Sequence, residues 1–266
     1  MKEIRVTTWN DLTDALYESS WQPSLGRFRS NWVYRGGGDA SDDLKTALMR
    51  LGGDYASVEA HLLRNFRKYA SASDRPTDSA WHCLALAQHH GLPTRLQDWT
   101  FSPFVAMHFA TDDPGTSDRD GAVWAIDHTK TNLYLPARLK QILDEHEADV
   151  FTAEMLSSAA CTLEEFDALG GPYLLFFEPP SLDARIVNQY ALFVLITGAT
   201  MSPGEWLAAH PEAARKIVIP AALKLQVRDM LDQANITERV LFPGLDGLAR
   251  WLRRYYTPRP NNDRRD

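Results

Sequence analysis

Two separate stretches of this 266-residue chain carry polar side chains in patterns suited to chemistry. The first is Arg35, which ends the apolar stretch 32–34 and precedes three glycines. An arginine there needs an anion or several carbonyl groups, because a buried, unpaired charge is strongly unfavourable. The second stretch, residues 88–103, packs two histidines, an arginine, an aspartate, two threonines and a serine around one glycine. We predict one polar pocket built around Arg35 and the segment from His89 to Ser102.

The second stretch has two interpretations. In the functional one, it is a loop between two helices, and the free N–H groups of the second helix favour a phosphate or carboxylate near Thr100 and Ser102. In the structural one, Asp98 pairs with Arg95, Thr100 and Ser102 cap the helix, and His89 bonds a loop carbonyl. The sequence leaves both interpretations open.

Several familiar catalytic devices are absent from the sequence. It contains no GxxxxGK[ST] phosphate loop, no HExxH and no GxSxG. A tight ligand pair is also missing among the candidate metal ligands, so we expect no metal site; these candidates are His82, His89, His90, Asp98 and His108.

Composition and charge restrict the class of protein. The chain is 44% hydrophobic and 24% charged, as in an ordinary globular protein. Its formal charge of −7 argues against a protein that tracks a nucleic-acid groove, but not against a nucleotide site. The longest apolar run, 190–196, is far shorter than the roughly 20 residues of a membrane span. We expect a cytoplasmic protein with no membrane contact, in which Cys83 and Cys161 are buried thiols.

Hydrophobic periodicity and turn residues predict an α+β fold with one domain over residues 1–256. A helical insert is predicted at about 136–169, and a disordered tail at 257–266. Helices are predicted at 9–19, 58–71, 78–90, 102–110 and 247–256. Strands are predicted at 32–35, 121–127, 173–177, 186–197 and 216–219.

Three motifs carry a resemblance to a known family. Tyr34-Arg35-Gly36, residues 88–100 and residues 102–110 resemble the FRG-domain family of bacterial proteins. Residues 185–193 and 241–249 are similar to later motifs of that family. Two positions depart from the pattern: Gln97 stands where leucine is usual, and Ala191 where glycine is common.

A second similarity joins Arg35-Gly36 and residues 98–110 to ADP-ribosyltransferases. It implies a mixed, mainly antiparallel sheet core flanked by helices, with NAD bound as a substrate. In those enzymes the arginine supports the NAD phosphates or ribose, and a Ser/Thr segment shapes the nicotinamide-ribose pocket. Carried over by position, Arg35 would hold NAD phosphate, and Thr100 and Ser102 would line the pocket. The full set of residues expected to bind NAD is Arg35, Gly36, Thr94, Arg95, Thr100 and Ser102.

The catalytic carboxylate is the weakest part of this second similarity. Transferases place a glutamate on a late strand, and the matching position here is Gln189, which cannot act as a base. Either Glu178 or Asp98 would have to supply the carboxylate, with His89 and Asp98 organising the pocket. The expected catalytic residues are therefore His89, Asp98, Gln189 and Glu178.

The resemblance implies an ADP-ribosyltransferase-like enzyme that uses NAD to modify a macromolecular target, as a toxin or anti-phage effector. The target would be a protein or a nucleic acid, and an antitoxin or regulatory partner is expected. Two alternatives are a non-catalytic nucleotide-sensing or partner-binding module and a nuclease that uses His89 and Asp98.

Overall fold

A computed structural model describes residues 1–71, 79–180 and 183–257 of the chain. The strands are β1 Lys2–Arg5, β2 Trp21–Gln22, β3 Arg27–Phe28, β4 Trp32–Gly37, β5 Gln97–Thr100, β6 Gly121–Asp127, β7 Leu174–Phe177, β8 Ala191–Ile196 and β9 Ala214–Ile219. The helices are α1 Trp9–Tyr17, α2 Tyr55–Tyr69, α3 Ala80–His89, α4 Pro103–Phe109, α5 His128–Thr131, α6 Ala137–Glu145, α7 Ala153–Ala159, α8 Leu163–Asp167, α9 Ala184–Asn188, α10 Pro203–Ala209, α11 Ala221–Gln233, α12 Glu238–Leu241 and α13 Leu245–Tyr256.

Seven strands form one sheet in the order β1-β9-β6-β4-β5-β8-β7. The pair β1–β9 is parallel, and the other neighbours are antiparallel. The fold is therefore α+β with a mixed, mainly antiparallel sheet, as predicted. No helix in the described ranges combines the length and apolar character needed to cross a bilayer.

One face of the sheet is covered by two separate groups of helices. Over β4, β6 and β9, α1, α4 and α11 pack on Tyr34 and its neighbours. Over β7 and β8, α3, α6, α7 and α8 pack on Phe193 and its neighbours. Between them lie Asp98 and Thr100 of β5, which share this face because Tyr34 pairs with Thr100 and Asp98 with Phe193. A cleft opens there, where neither group covers the sheet.

Local sequence explains how closely α4 approaches this cleft. Ser102 caps the helix by accepting a hydrogen bond from the Val105 N–H at 3.3 Å, and Pro103 occupies the first turn. The backbone of α4 lies directly against Gly36, where an added Cβ would collide with the Ala106 carbonyl oxygen. Glycine at this position therefore allows α4 to rest on β4.

Three local predictions were wrong. Residues 97–100 form a central strand instead of continuing a loop, because Gln97, Trp99 and Thr100 are buried between β4 and β8. The predicted strand 186–197 begins as helix α9, which Asp183 caps by accepting hydrogen bonds from two backbone N–H groups. Cys83 is buried as expected, but Cys161 is exposed.

Two other predictions reach beyond the described residues. The helix predicted from residue 78 begins at Ala80, and residue 78 itself lies outside the described ranges. The predicted disordered tail, apart from Thr257, also lies outside them.

Candidate functional site

The cleft between the two helix groups has two connected lobes. The inner lobe, of about 250 Å³, is lined by β4, β5 and α4 and includes Arg35, Gly36 and Thr100. The outer lobe, of about 500 Å³, is lined by the end of α3 and includes Gln88, His89 and His90. Both lobes share four lining residues: Asp98, Arg185, Gln189 and Ala191. The cleft thus joins α3, β5 and α9, and its size fits the roughly 300–1,000 Å³ of small-molecule sites.

Arg35 contributes a guanidinium group to the inner lobe. Its Nη1 donates to the backbone carbonyl oxygen of Asp98 at 2.6 Å. Among the described residues it forms no ion pair. Burial lowers the pKa of Arg35, while the nearby charge of Asp98 acts in the opposite direction. Because arginine remains charged in proteins, this cation favours an anion in the inner lobe.

Asp98 is exposed at the junction of the two lobes and is held by neutral groups. Gln88 Nε2 donates to its Oδ2 at 2.8 Å, and Thr94 Oγ1 donates to Gln88 Oε1 at 2.6 Å. Thr94 is therefore one residue removed from the cleft, where it fixes the amide that orients Asp98. The carboxylate keeps its other oxygen free of any partner within the described residues.

Gln189 and Thr100 connect β5, the end of α9 and α12 through hydrogen bonds. Thr100 Oγ1 donates to the Gln189 carbonyl oxygen at 2.7 Å, and the Gln189 side-chain amide donates to the Leu241 carbonyl oxygen at 2.9 Å. Beside it, the Asn188 amide donates to the Val240 carbonyl oxygen at 2.7 Å. These bonds attach the end of α9 to α12 and leave the Gln189 amide nitrogen engaged by backbone.

Arg185 is the second cation of the cleft. It lies on α9 and lines both lobes, with its guanidinium 5.1 Å from the centre of the Phe242 ring. The Arg250 guanidinium lies 4.0 Å from the same ring. Arg185 forms no ion pair with any carboxylate of the described residues. Its charge is held in place by aromatic contact and stays available to an anion.

His89 faces the outer lobe and is paired with a carboxylate. Its Nε2 lies 2.8 Å from Asp183 Oδ2, and its side chain is 12% exposed. Asp183 Oδ1 accepts hydrogen bonds from the backbone N–H groups of Arg185 and Ile186. One carboxylate therefore orients the histidine and also starts the helix that carries Arg185.

Besides Thr94, three further expected site residues lie outside the cleft. Arg95 is buried in ion pairs with Glu59 and Asp167, with its Nη1 2.8 Å from Asp167 Oδ1. The alternative pairing of Arg95 with Asp98 is not formed. Glu178 lines a different hollow, of about 460 Å³, and Ser102 serves as the cap of α4. These positions suit Arg95 and Ser102 to structural roles.

Sequence reasoning missed four residues of the cleft region: Gln88, Arg185, Asp183 and Phe242. A signal existed for Arg185, because it opens the Arg-x-x-x-Gln motif that ends at Gln189. None existed for Asp183, which meets His89 across 94 positions of sequence. Within the described residues, no three histidine, cysteine, aspartate or glutamate side chains cluster so as to hold a metal ion.

Comparison with known proteins gives a family match for the segment that forms one wall of the cleft. Residues 30–119 match the family model of the FRG domain. The match supports the FRG family and spans β4, α2, α3, β5 and α4, which carry Arg35, His89 and Asp98. Neither the curated proteins nor the solved structures contain a match to the chain. The FRG-matched segment thus supplies one wall of the cleft, and α9 supplies the other.

Proposed function

We propose that the cleft binds NAD and that the protein transfers its ADP-ribosyl group to a macromolecular target. One observation carries this proposal. Arg35 and Arg185, two guanidinium groups with no carboxylate partner within the described part of the chain, line a single cleft together with the carboxylate of Asp98. Such an arrangement suits a ligand that carries adjacent phosphates and develops positive charge at a nearby atom.

The two arginines divide the binding of a pyrophosphate. Arg35 is fixed by the Asp98 carbonyl, and Arg185 by the Phe242 ring, so each is preorganised before a ligand enters. Arginine binds phosphate oxygens through paired N–H donors, which sets orientation as well as affinity. A dinucleotide clamped in this way would present its glycosidic bond within the cleft.

Asp98 is the carboxylate best suited to the chemical step. Breaking the bond between ribose and nicotinamide develops positive charge on the ribose, which a nearby anion stabilises. Asp98 lines both lobes, whereas Glu178 lies in another hollow and the Gln189 side chain is neutral. In this proposal Asp98 takes the role that a late-strand glutamate has in the enzymes that the sequence resembles.

Nicotinamide release and label transfer test the proposal. Wild type, Arg35→Ala and Asp98→Asn are incubated with labelled NAD and cell lysate. We expect release and transfer from wild type, weaker NAD binding in Arg35→Ala, and a loss of rate of roughly 10²–10³ in Asp98→Asn with NAD still bound. Arg119→Ala, which removes an exposed arginine paired with Asp39, is the matched control and should behave as wild type.

Absence of turnover in the folded wild type would refute the transferase. The biological role attached to the proposal, a bacterial toxin or anti-phage effector in the cytoplasm, rests on the family resemblance. An antitoxin or regulatory partner belongs to the same proposal.

A non-catalytic nucleotide-binding module is the second candidate. The engaged Gln189 amide favours it, because its bond to Leu241 gives this residue a structural role at the position of the expected glutamate. Calorimetry separates the two. Saturable NAD binding that is weakened in Arg35→Ala, with no nicotinamide released at any protein concentration, would identify a binding module.

A further inference from the structure

The outer lobe contains a histidine–carboxylate pair that NAD binding does not explain. The side chain of His89 is 12% exposed, and the Asp183 side chain is 47% exposed. Backbone hydrogen bonds to Arg185 and Ile186 hold the carboxylate at the start of α9. The pair therefore has a fixed position at the wall of a lobe of about 500 Å³.

The pairing fixes the protonation pattern of the ring. Burial raises the pKa of Asp183, but hydrogen bonds from the Ile186 N–H and from His89 outweigh it, so the pKa is lowered. Asp183 thus stays ionised near neutral pH and accepts the proton of Nε2–H. In a neutral ring the proton on Nε2 leaves Nδ1 as an acceptor. His89 Nδ1 has no partner among the described residues and is not a buried atom.

A second pair on the same helix shows that such pairing is not enough by itself. His82 Nε2 lies 3.1 Å from Glu154 Oε1, seven positions before His89 on α3. His82 lines neither lobe, so its other ring nitrogen does not contribute to the cleft. His89 differs from His82 in facing the cleft, and this position gives its Nδ1 a chemical use.

We propose that the outer lobe is the acceptor site and that His89 is the general base that activates an acceptor hydroxyl. This inference rests on the proposed function. The acceptor oxygen bonds to the ribose C1′ of NAD, the bond between C1′ and the nicotinamide nitrogen breaks, and its electron pair leaves on that nitrogen. The hydroxyl proton moves to His89 Nδ1, and Asp183 stabilises the imidazolium that results.

The lobe favours a neutral alcohol of a protein side chain. Arg185 lines it and would repel a lysine or arginine acceptor. Its floor includes Ile186, Ala191 and Phe193, which suit the carbon atoms of a serine or threonine. The chain's charge of −7 acts against a nucleic-acid acceptor. We therefore expect serine or threonine hydroxyls as the class of substrate.

The experiment measures nicotinamide release from NAD against pH, with methanol as a small alcohol probe and with lysate as the source of protein. The variants are His89→Gln, Asp183→Asn and the matched control His82→Gln. Asparagine caps a helix as well as aspartate, so Asp183→Asn keeps α9 while removing the charge beside His89. Asp183 pairs with His89, and the other charged or titratable groups that line the outer lobe are Asp98, His90 and Arg185.

We expect His89→Gln to bind NAD as wild type does and to lose roughly 10²–10⁴ in the rate of transfer to methanol and protein. Protonation of a general base should slow wild type at acid pH, and this dependence should be absent from His89→Gln. Asp183→Asn should show a smaller loss, and His82→Gln none. Protease, and not nuclease, should remove the label from the lysate product.

The experiment distinguishes failure of the proposed function from failure of this inference alone. If wild type binds NAD but releases no nicotinamide, the proposed function and this inference both fall. If wild type turns over while His89→Gln keeps its rate, pH profile and methanol product, the inference alone falls. Nuclease-sensitive label would overturn the protein hydroxyl as the acceptor. If His89→Gln does not fold, an unchanged pH profile in Asp183→Asn overturns the general-base role.

Discussion

Arginine side chains near β5 occupy two kinds of surroundings. Arg95 is 5% exposed and lies between the carboxylates of Glu59 and Asp167, which also accepts a hydrogen bond from the Gly198 N–H. Arg35 and Arg185 have no carboxylate partner among the described residues; a backbone carbonyl and an aromatic ring hold them. Arg35 and Arg95 both lie in the segment that matches the FRG family model, and Arg185 lies outside it, so the family match alone does not separate structural from available arginines. Their partners do: a neutralised arginine holds elements together, and an arginine without a counter-ion is ready for a ligand.

The largest effect that we expect comes from Arg95→Ala. Removing one partner from a buried ion pair leaves uncompensated charge on Glu59, which lowers the free energy of unfolding by about 3–5 kcal/mol. Urea denaturation at neutral pH measures the change. Arg50→Ala, which breaks exposed pairs with Asp42 and Asp43, is the control and should cost about 1 kcal/mol or less. Equal losses in the two variants would contradict the structural role of Arg95.

Arg35→Ala and Arg185→Ala should weaken NAD binding and leave the stability of the fold nearly unchanged. Loss of a hydrogen bond to a charged ligand is worth about 1.5–3 kcal/mol, so NAD affinity should fall roughly 10- to 150-fold. The free energy of unfolding should change by about 1 kcal/mol or less, since neither arginine neutralises a carboxylate. Calorimetric titration and urea denaturation on the same samples test both halves. Unchanged affinity in both variants would remove the phosphate-binding role from the cleft.

The buried cluster of His108 and Arg228 should make the free energy of unfolding depend on pH. His108 is fully buried, with Nδ1 2.8 Å from Arg228 Nη1, and burial together with the charge of Arg228 lowers its pKa to about 3. A base whose pKa falls on folding adds stability above its unfolded pKa of about 6.5. That stability is lost as pH falls from 6.5 towards 3, with a slope of at most about 1.4 kcal/mol per pH unit. His108→Gln should flatten this part of the stability profile, measured by urea denaturation at several pH values.

Asp112 is a partly buried group, and it should change the free energy of unfolding with pH in the direction opposite to His108. Burial raises its pKa to about 6, so its stabilising contribution is present below its unfolded pKa of about 3.8 and is lost as pH rises through 6. Asp112→Asn should therefore steepen the loss of stability on acidification, whereas His108→Gln should reduce it. Slopes that move in the same direction for both variants would contradict the assignment.

The fold was predictable where local signals agree. Strand β6 is apolar along nearly its whole length and matches its predicted bounds, and Ser102 with Pro103 marks the start of α4. Helix α9 was missed because its apolar, β-branched residues resemble a strand. The capping aspartate that decides the helix, Asp183, precedes them, and Val187 remains 62% exposed. Strand β5 was missed because its partners, β4 and β8, are far away in sequence.

The cleft was predictable only on the side that the central motif forms. Arg35, His89 and Asp98 were expected together, and all three line the cleft. Arg95 was expected beside them, but its partners Glu59 and Asp167 come from α2 and α8, which no local pattern connects to it. The pair of His89 with Asp183 is equally non-local. Sequence spacing identifies the polar residues. Whether each one has a structural role or is available to a ligand depends on the partners that the fold brings to it.

The smallest expected effect concerns Ser102, which the resemblance assigned to NAD and the structure uses as a cap. Ser102→Ala removes the bond from the Val105 N–H and should lower the free energy of unfolding by about 1 kcal/mol. Ser102→Asn keeps a capping oxygen and should restore most of that stability. Because Ser102 lines neither lobe, NAD affinity should be the same in all three proteins. If NAD affinity falls in Ser102→Ala while stability is unchanged, Ser102 contacts the ligand, and α4 is part of the binding site rather than a supporting element.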